Sequence, residues 1–105
     1  MEEIKVVCYE LQGKTFYSIY TDYRTAFQTC SALAYSGYVR NIRIMKNKEF
    51  WSQVHAVIRY NRKNSNQALF EVCMTEAELT EKRISLLFDQ EIVNLEVLGG
   101  QADVD

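Results

Sequence analysis

The segment 68–98 has the most regular pattern in the sequence, and it predicts a strand, a helix and a second strand in succession. Apolar and polar residues alternate over 68–74 and again over 92–97, which is the period of a strand with one buried face. Between them, Thr75 and Glu78 have the spacing of a capping box, in which Thr75 accepts a hydrogen bond from the N–H of Glu78 and Glu78 reaches back to the N–H of Thr75. The chain therefore contains both strands and helices.

The first half of the chain repeats this pattern. Residues 4–11 and 15–20 predict two strands joined by a short turn, and Thr21-Asp22 then supplies a helix N-cap. Apolar residues recur at helical spacing after this cap, Gly37 suits the left-handed end of the helix, and 39–46 reads as a further strand. Both halves therefore predict the order ββαβ.

Residues 47–60 allow two interpretations. An amphipathic helix could run from 47 to about 60, or a loop could lead into a strand over 54–61. The second interpretation is more economical, because the polar stretch 62–66 would then join this strand to 68–74 as a hairpin.

The predicted fold class is α+β, a ββαβ-ββαβ pseudo-repeat. Without its first strand the order is βαββαβ, the order of ferredoxin-like domains. This order predicts one antiparallel-rich sheet with two helices on one face. We expect a single domain over 1–98, with four phenylalanines in its core, and a frayed acidic tail over 99–105. The four phenylalanines are Phe16, Phe27, Phe70 and Phe88.

Composition and cysteine spacing narrow the functional classes. The chain is 48% hydrophobic and 25% charged, which is ordinary for a globular protein. No stretch is apolar enough to cross a membrane, and the acidic start has no signal-peptide pattern, so a cytoplasmic location is expected. Three scattered cysteines and one histidine predict buried thiols, with no metal site and no cofactor.

Charge is unevenly distributed along the chain. Residues 22–63 carry eight basic and two acidic side chains, whereas 64–105 carry two basic and nine acidic ones. Folding could present these two blocks as separate surfaces, which would steer a charged partner, or it could interleave them.

Catalysis is not expected, because nucleophile and base residues are scarce. The single histidine, His55, could meet Cys73 only if 54–61 and 67–74 form a hairpin. A small enzyme built around this pair is the weakest of three functional hypotheses.

Binding is the favoured function. An exposed sheet face carrying Tyr9, Tyr17, Arg43 and Arg59 could stack bases and contact phosphates, which makes a nucleic-acid-binding module the alternative. The same residue types anchor protein interfaces, so we expect a small non-enzymatic module that binds a protein or a second copy of the chain. Inhibitors and accessory proteins of phages and mobile elements are often of this kind. The candidate binding residues are Tyr9, Tyr17, Arg40, Arg43, Lys46, Lys48, Trp51, His55, Arg59, Arg62 and Lys63.

Overall fold

A computed structural model describes residues 4–99 and contains six strands and three helices in this range. In chain order the elements are β1 (Lys5–Leu11), β2 (Lys14–Tyr20), α1 (Tyr23–Ser36), β3 (Val39–Met45), α2 (Asn47–Gln53), β4 (Ala56–Arg62), β5 (Leu69–Cys73), α3 (Glu76–Leu87) and β6 (Ile92–Gly99). The α+β class is confirmed. The segment with two interpretations contains both elements, since the short helix α2 precedes the strand β4.

The six strands form two antiparallel sheets of three, and this differs from the single sheet expected from the ferredoxin-like order. The strand orders are β2-β1-β3 and β5-β4-β6. The first strand of each half is the central strand of its sheet, because it pairs with the next strand on one edge and with the strand after the long helix on the other. Each ββαβ half therefore completes a sheet of its own, with one long helix.

The contacts divide the described residues into two compact units, with the boundary between Phe50 and Trp51. Gly99 is the last residue of β6, and the rest of the predicted frayed tail, 100–105, lies outside the described residues.

In the first unit, local residue chemistry determines the turn and the helix ends. Gln12 and Gly13 both have positive φ, 52° and 79°, as a two-residue turn between antiparallel strands requires. The carboxylate of Asp22 caps α1 by accepting a hydrogen bond of 2.8 Å from the N–H of Thr25. Gly37 ends the helix in the left-handed conformation, with φ of 78°.

In the second unit, the capping box forms with one difference from the prediction. Thr75 accepts from the N–H of Glu78 at 3.1 Å, but the Glu78 carboxylate accepts from the N–H of Met74, one residue before the cap. The buried core beneath α3 has five members, Ala56, Ile58, Tyr60, Cys73 and Leu79.

Both units carry a β-bulge at the same place in the sheet. In the first unit, Cys8 pairs with Arg43 and Glu10 pairs with Arg40, so that Tyr9 lies opposite two residues of β3, Asn41 and Ile42. In the second unit, Tyr60 lies opposite Asn94 and Leu95 in the same way. Asn41 and Asn94 both have positive φ, 54° and 57°, a conformation that asparagine tolerates better than most residues.

Candidate functional site

In the first unit, the two tyrosines expected to share an exposed sheet face lie on opposite faces. Tyr9 pairs with Phe16 across β1 and β2, and their rings stack with centroids 5.7 Å apart. Tyr17 pairs with Cys8, the residue before Tyr9, so its side chain is on the other face of the sheet. There it makes an edge-to-face contact with the buried ring of Phe50 at 5.4 Å. The tyrosines therefore do not form one stacking platform.

Arg43 forms a bidentate ion pair with Glu49. Its Nη1 and Nη2 donate to the two carboxylate oxygens at 3.0 and 2.8 Å. These bonds lower the pKa of Glu49 below its ordinary value, and the same carboxylate raises the pKa of Arg43. A guanidinium already bonded in this geometry has fewer donors left for a phosphate.

The other basic candidates of the first unit are exposed near the start of β3 or after its end. Arg40 pairs with Glu10 in the register of β1 and β3, Lys46 follows β3, and Lys48 is in α2.

Trp51 is half-buried in α2 and packs against the last residue of β6. A Cβ placed on Gly99 would overlap the six-membered ring of the Trp51 indole, and Gly99 also has a positive φ of 75°. The indole therefore covers a glycine of the strand.

In the second unit, the basic and acidic blocks of the sequence interleave. His55 Nε2 lies 2.7 Å from Glu76 Oε1, and Arg59 Nη1 donates to Glu96 Oε1 at 3.1 Å. Arg62 and Lys63 are exposed at the end of β4, where the backbone N–H of Lys63 donates to the carbonyl of Glu91 at 2.8 Å. The His55 ring and the Arg59 guanidinium, both predicted contact groups, are thus engaged with carboxylates of their own unit.

His55 and Cys73 are neighbours through a backbone hydrogen bond. The N–H of His55 donates to the carbonyl of Cys73 at 3.0 Å, whereas the thiol is fully buried in the core cluster beneath α3. Burial raises the pKa of the Cys73 thiol, which disfavours the reactive thiolate. The His55 ring pairs with Glu76, so this arrangement does not activate the thiol as a nucleophile.

Exposed apolar side chains are concentrated on the two long helices. Among the described residues, the large hydrophobic side chains that are exposed are Phe16, Tyr23, Phe27, Tyr35, Tyr38, Met74, Ile84, Leu87 and Phe88. All except Phe16 lie in α1 or α3 or within two residues of their ends. Three of the four phenylalanines expected in the core are therefore exposed to differing extents, Phe88 by 83%.

The outer face of α1, which we call the α1 surface, consists of Arg24, Phe27, Ser31, Ala34 and Tyr35, flanked by Tyr23 and Tyr38. All seven residues are exposed, Phe27 by 56% and Tyr35 by 93%, and the rings of Tyr23 and Phe27 stack with centroids 6.3 Å apart. The inner face of α1 has Ala26 and Leu33, which are buried and half-buried. Arg24 is the single charged residue of this 14-residue helix.

The corresponding outer face of α3, which we call the α3 surface, consists of Ile84, Leu87 and Phe88. It differs from the α1 surface in its surroundings, because five of the twelve residues of α3 are charged. The α3 surface is therefore a smaller apolar stripe on a charged helix, whereas the α1 surface is aromatic and almost uncharged.

The α1 surface was missed by the sequence prediction, although a signal was present. Tyr23–Ser36 has one charged residue, and a helix exposed to water on its outer face normally carries several. Of the residues on this surface, the sequence prediction singles out Phe27 alone, and it places that side chain in the core.

An open depression of about 390 Å³ adjoins the first hairpin, with six lining residues, Glu10, Leu11, Gln12, Gly13, Tyr38 and Arg40.

Across residues 4–99, no three histidine, cysteine or acidic side chains come together in a way that could hold a metal ion. Within the same range, every helix is too short or too polar to cross a membrane.

Comparison of the chain with protein-family models, curated proteins and solved structures finds no match.

Proposed function

We propose that the chain is a small, non-enzymatic protein-binding module, and that its contact surface is the α1 surface. The observation that carries this proposal is the combination of exposed aromatic rings with a helix that has one charge in 14 residues. The cores of protein interfaces are enriched in aromatic residues and depleted of charge, whereas a solvated helix face is charged.

The partner that fits this surface is a folded protein with an uncharged apolar or aromatic face. Burying one phenylalanine side chain completely is worth about 1.5–3 kcal/mol relative to leaving it exposed. Phe27 and Tyr35 lie two turns apart on the same face of α1, so a single partner face can contact both.

Nucleic-acid binding is the alternative proposal, and it has to use other residues than those expected. Tyr9 and Tyr17 are on opposite faces of the sheet, and Arg43 is bonded to Glu49. Among the candidate binding residues, the exposed basic side chains other than Arg43 are Arg40, Lys46, Lys48, Arg62 and Lys63, and these could contact phosphates.

The proposal is tested by site-specific photo-crosslinking in an extract of the native host. A photoreactive phenylalanine analogue replaces Tyr35 in the test protein and Glu81, an exposed residue of α3, in the control. We expect discrete adducts with an identifiable protein from position 35, few from position 81, and loss of the position-35 adducts when Phe27→Glu is added.

Equal labelling from both positions would refute a contact surface on α1. Adducts that disappear on nuclease treatment would favour the nucleic-acid alternative. Circular dichroism of each variant verifies that the helices are retained.

A further inference from the structure

We infer that the occupant of the α1 surface is a second copy of this chain, bound through an antiparallel pair of α1 helices across a two-fold axis near Ser31. This inference rests on the proposed function, because it identifies the partner of the same surface. An isologous contact requires a face that is complementary to itself, and the α1 surface has this property in both shape and charge.

The shape argument starts from the order of side-chain sizes along the outer line of α1. Phe27, Ser31 and Tyr35 are spaced by four residues, so they lie above one another with the small residue in the middle. In an antiparallel pair centred on Ser31, Phe27 of each copy lies beside Tyr35 of the other. The two small Ser31 side chains then meet at the axis, where they allow the helices to approach closely.

The charge argument concerns Arg24, which lies near the N-terminal end of α1. Because the helices are antiparallel, the two Arg24 side chains are at opposite ends of the pair and do not repel one another. Each lies instead near the C-terminal turn of the other copy, which has no basic residue of its own and whose negative end of the helix dipole favours a cation. The exposed rings of Tyr35 and Tyr38 at that end can also contact a guanidinium face.

The remainder of the α1 surface is uncharged. Residues near a two-fold axis face their own equivalents, so a charge there would be placed next to an identical charge. Phe27, Ser31, Ala34 and Tyr35 carry no charge.

The contact is short, since a 14-residue helix is about 21 Å long. Interfaces of small area are commonly transient, so the dimer should dissociate on dilution.

The experiment measures the oligomeric state of the full purified chain by sedimentation equilibrium over two to three orders of magnitude in concentration. The test variant is Phe27→Glu and the matched control is Ile84→Glu, since these residues are 56% and 50% exposed on equivalent long helices. We expect a concentration-dependent dimer for the wild type and for Ile84→Glu. Dimer affinity in Phe27→Glu should fall about tenfold or more, because the substitution places two carboxylates in an apolar contact.

A second measurement does not depend on the folding of Phe27→Glu. Ser31→Cys should form a disulfide-linked dimer under mild oxidation, because residues at the axis of a close helix pair are within disulfide distance. Ser85→Cys, on the exposed side of α3, is the control, and the wild type gives the background from Cys30.

Three outcomes would overturn the dimer: a monomeric wild type at every concentration, equal weakening in Phe27→Glu and Ile84→Glu, or no more crosslinking in Ser31→Cys than in Ser85→Cys. A monomer that still gives position-35 adducts with a host protein would exclude the dimer and keep the proposed function. A monomer without such adducts would exclude both.

Discussion

The carboxylate of Asp22 is the clearest example of how one residue links pH to stability in this chain. Its oxygens accept hydrogen bonds from the N–H and the hydroxyl of Thr25, at 2.8 and 2.7 Å. These bonds lower the pKa of Asp22 below its ordinary value of 3.8, chiefly through the backbone bond. The folded state therefore favours the ionised form of Asp22, and protonation removes part of the stability that the cap contributes.

The sign of the pH dependence follows from this lowered pKa. The ionised cap makes its full contribution to the free energy of unfolding above about pH 4. That contribution is lost as the pH falls through the pKa of Asp22 in the folded state, which is below 3.8. Asp22→Asn keeps a good N-cap without a titrating group. We expect the stability of the wild type relative to Asp22→Asn to decrease below about pH 4, measured by urea unfolding followed by circular dichroism. A constant difference at all pH values would contradict this assignment.

The three cysteines should differ in reactivity according to their burial. Cys8 and Cys73 are buried and Cys30 is half-buried, and burial raises the pKa of all three thiols. We expect iodoacetamide to label Cys30 first, and Cys8 and Cys73 only at rates that rise with denaturant, as mass spectrometry of timed samples can show. Rapid labelling of Cys73 in the folded protein would instead support the enzyme hypothesis.

Residue type alone was a poor guide to burial at the aromatic positions. Phe27 and Phe88 were expected in the core but are exposed, whereas Phe50 is fully buried. Phenylalanine is buried on average, yet its position on the helix decides the individual case. In this chain the central strands supply much of the core, including Val6 and Val57.

At the scale of elements, prediction succeeded where the signal is local. Alternation, the caps at Asp22 and Thr75 and the glycine at 37 located five strands and both long helices, and the strand β4 was the preferred of two interpretations for its segment. The hairpin pairings β1–β2 and β4–β5 follow from the short turns between the strands and are confirmed. The pairing of β3 with β1 and of β6 with β4 could not be derived in the same way, since alternation identifies the buried face of a strand but not its neighbour. The bulges at Asn41 and Asn94 were missed for the same reason, because they depend on the register with the central strand.

The contact between Trp51 and β6 gives a prediction for the short helix α2. Gly99→Ala should cost about 1–2 kcal/mol because of its positive φ, and about 1–3 kcal/mol more because the new methyl group overlaps the indole. Gly13→Ala is the matched control, since Gly13 has a similar φ of 79° but no atom within 4 Å of the added Cβ. Urea unfolding monitored by circular dichroism measures both free energies.

Removing the indole separates the two contributions. In the Trp51→Ala background, Gly99→Ala should cost no more than Gly13→Ala, because the overlap is gone. Equal costs of the two glycine substitutions in the wild-type background would show that the Trp51 indole does not pack against Gly99.

At the scale of the whole molecule, the large apolar side chains divide into an exposed set, mostly on the two long helices, and a buried core. Phe88 is 83% exposed at the C-terminal end of α3, and the last turn of this helix has no basic residue. A lysine at this position would remove apolar surface and place a cation near the negative end of the helix dipole, a contribution of about 0.3–1 kcal/mol. Phe88→Lys should therefore leave the free energy of unfolding unchanged or slightly raised, and should increase solubility.

The matched substitution is Phe50→Lys, because Phe50 is fully buried and contacts Tyr17. Truncation of a buried phenylalanine to alanine costs about 3–5 kcal/mol, and replacing the ring with a buried ammonium should cost at least as much. Urea unfolding and precipitation by polyethylene glycol measure stability and solubility for both variants. If Phe88→Lys destabilised the protein as much as Phe50→Lys, Phe88 would belong to the core, and the exposed helix faces would no longer distinguish a binding surface in this chain.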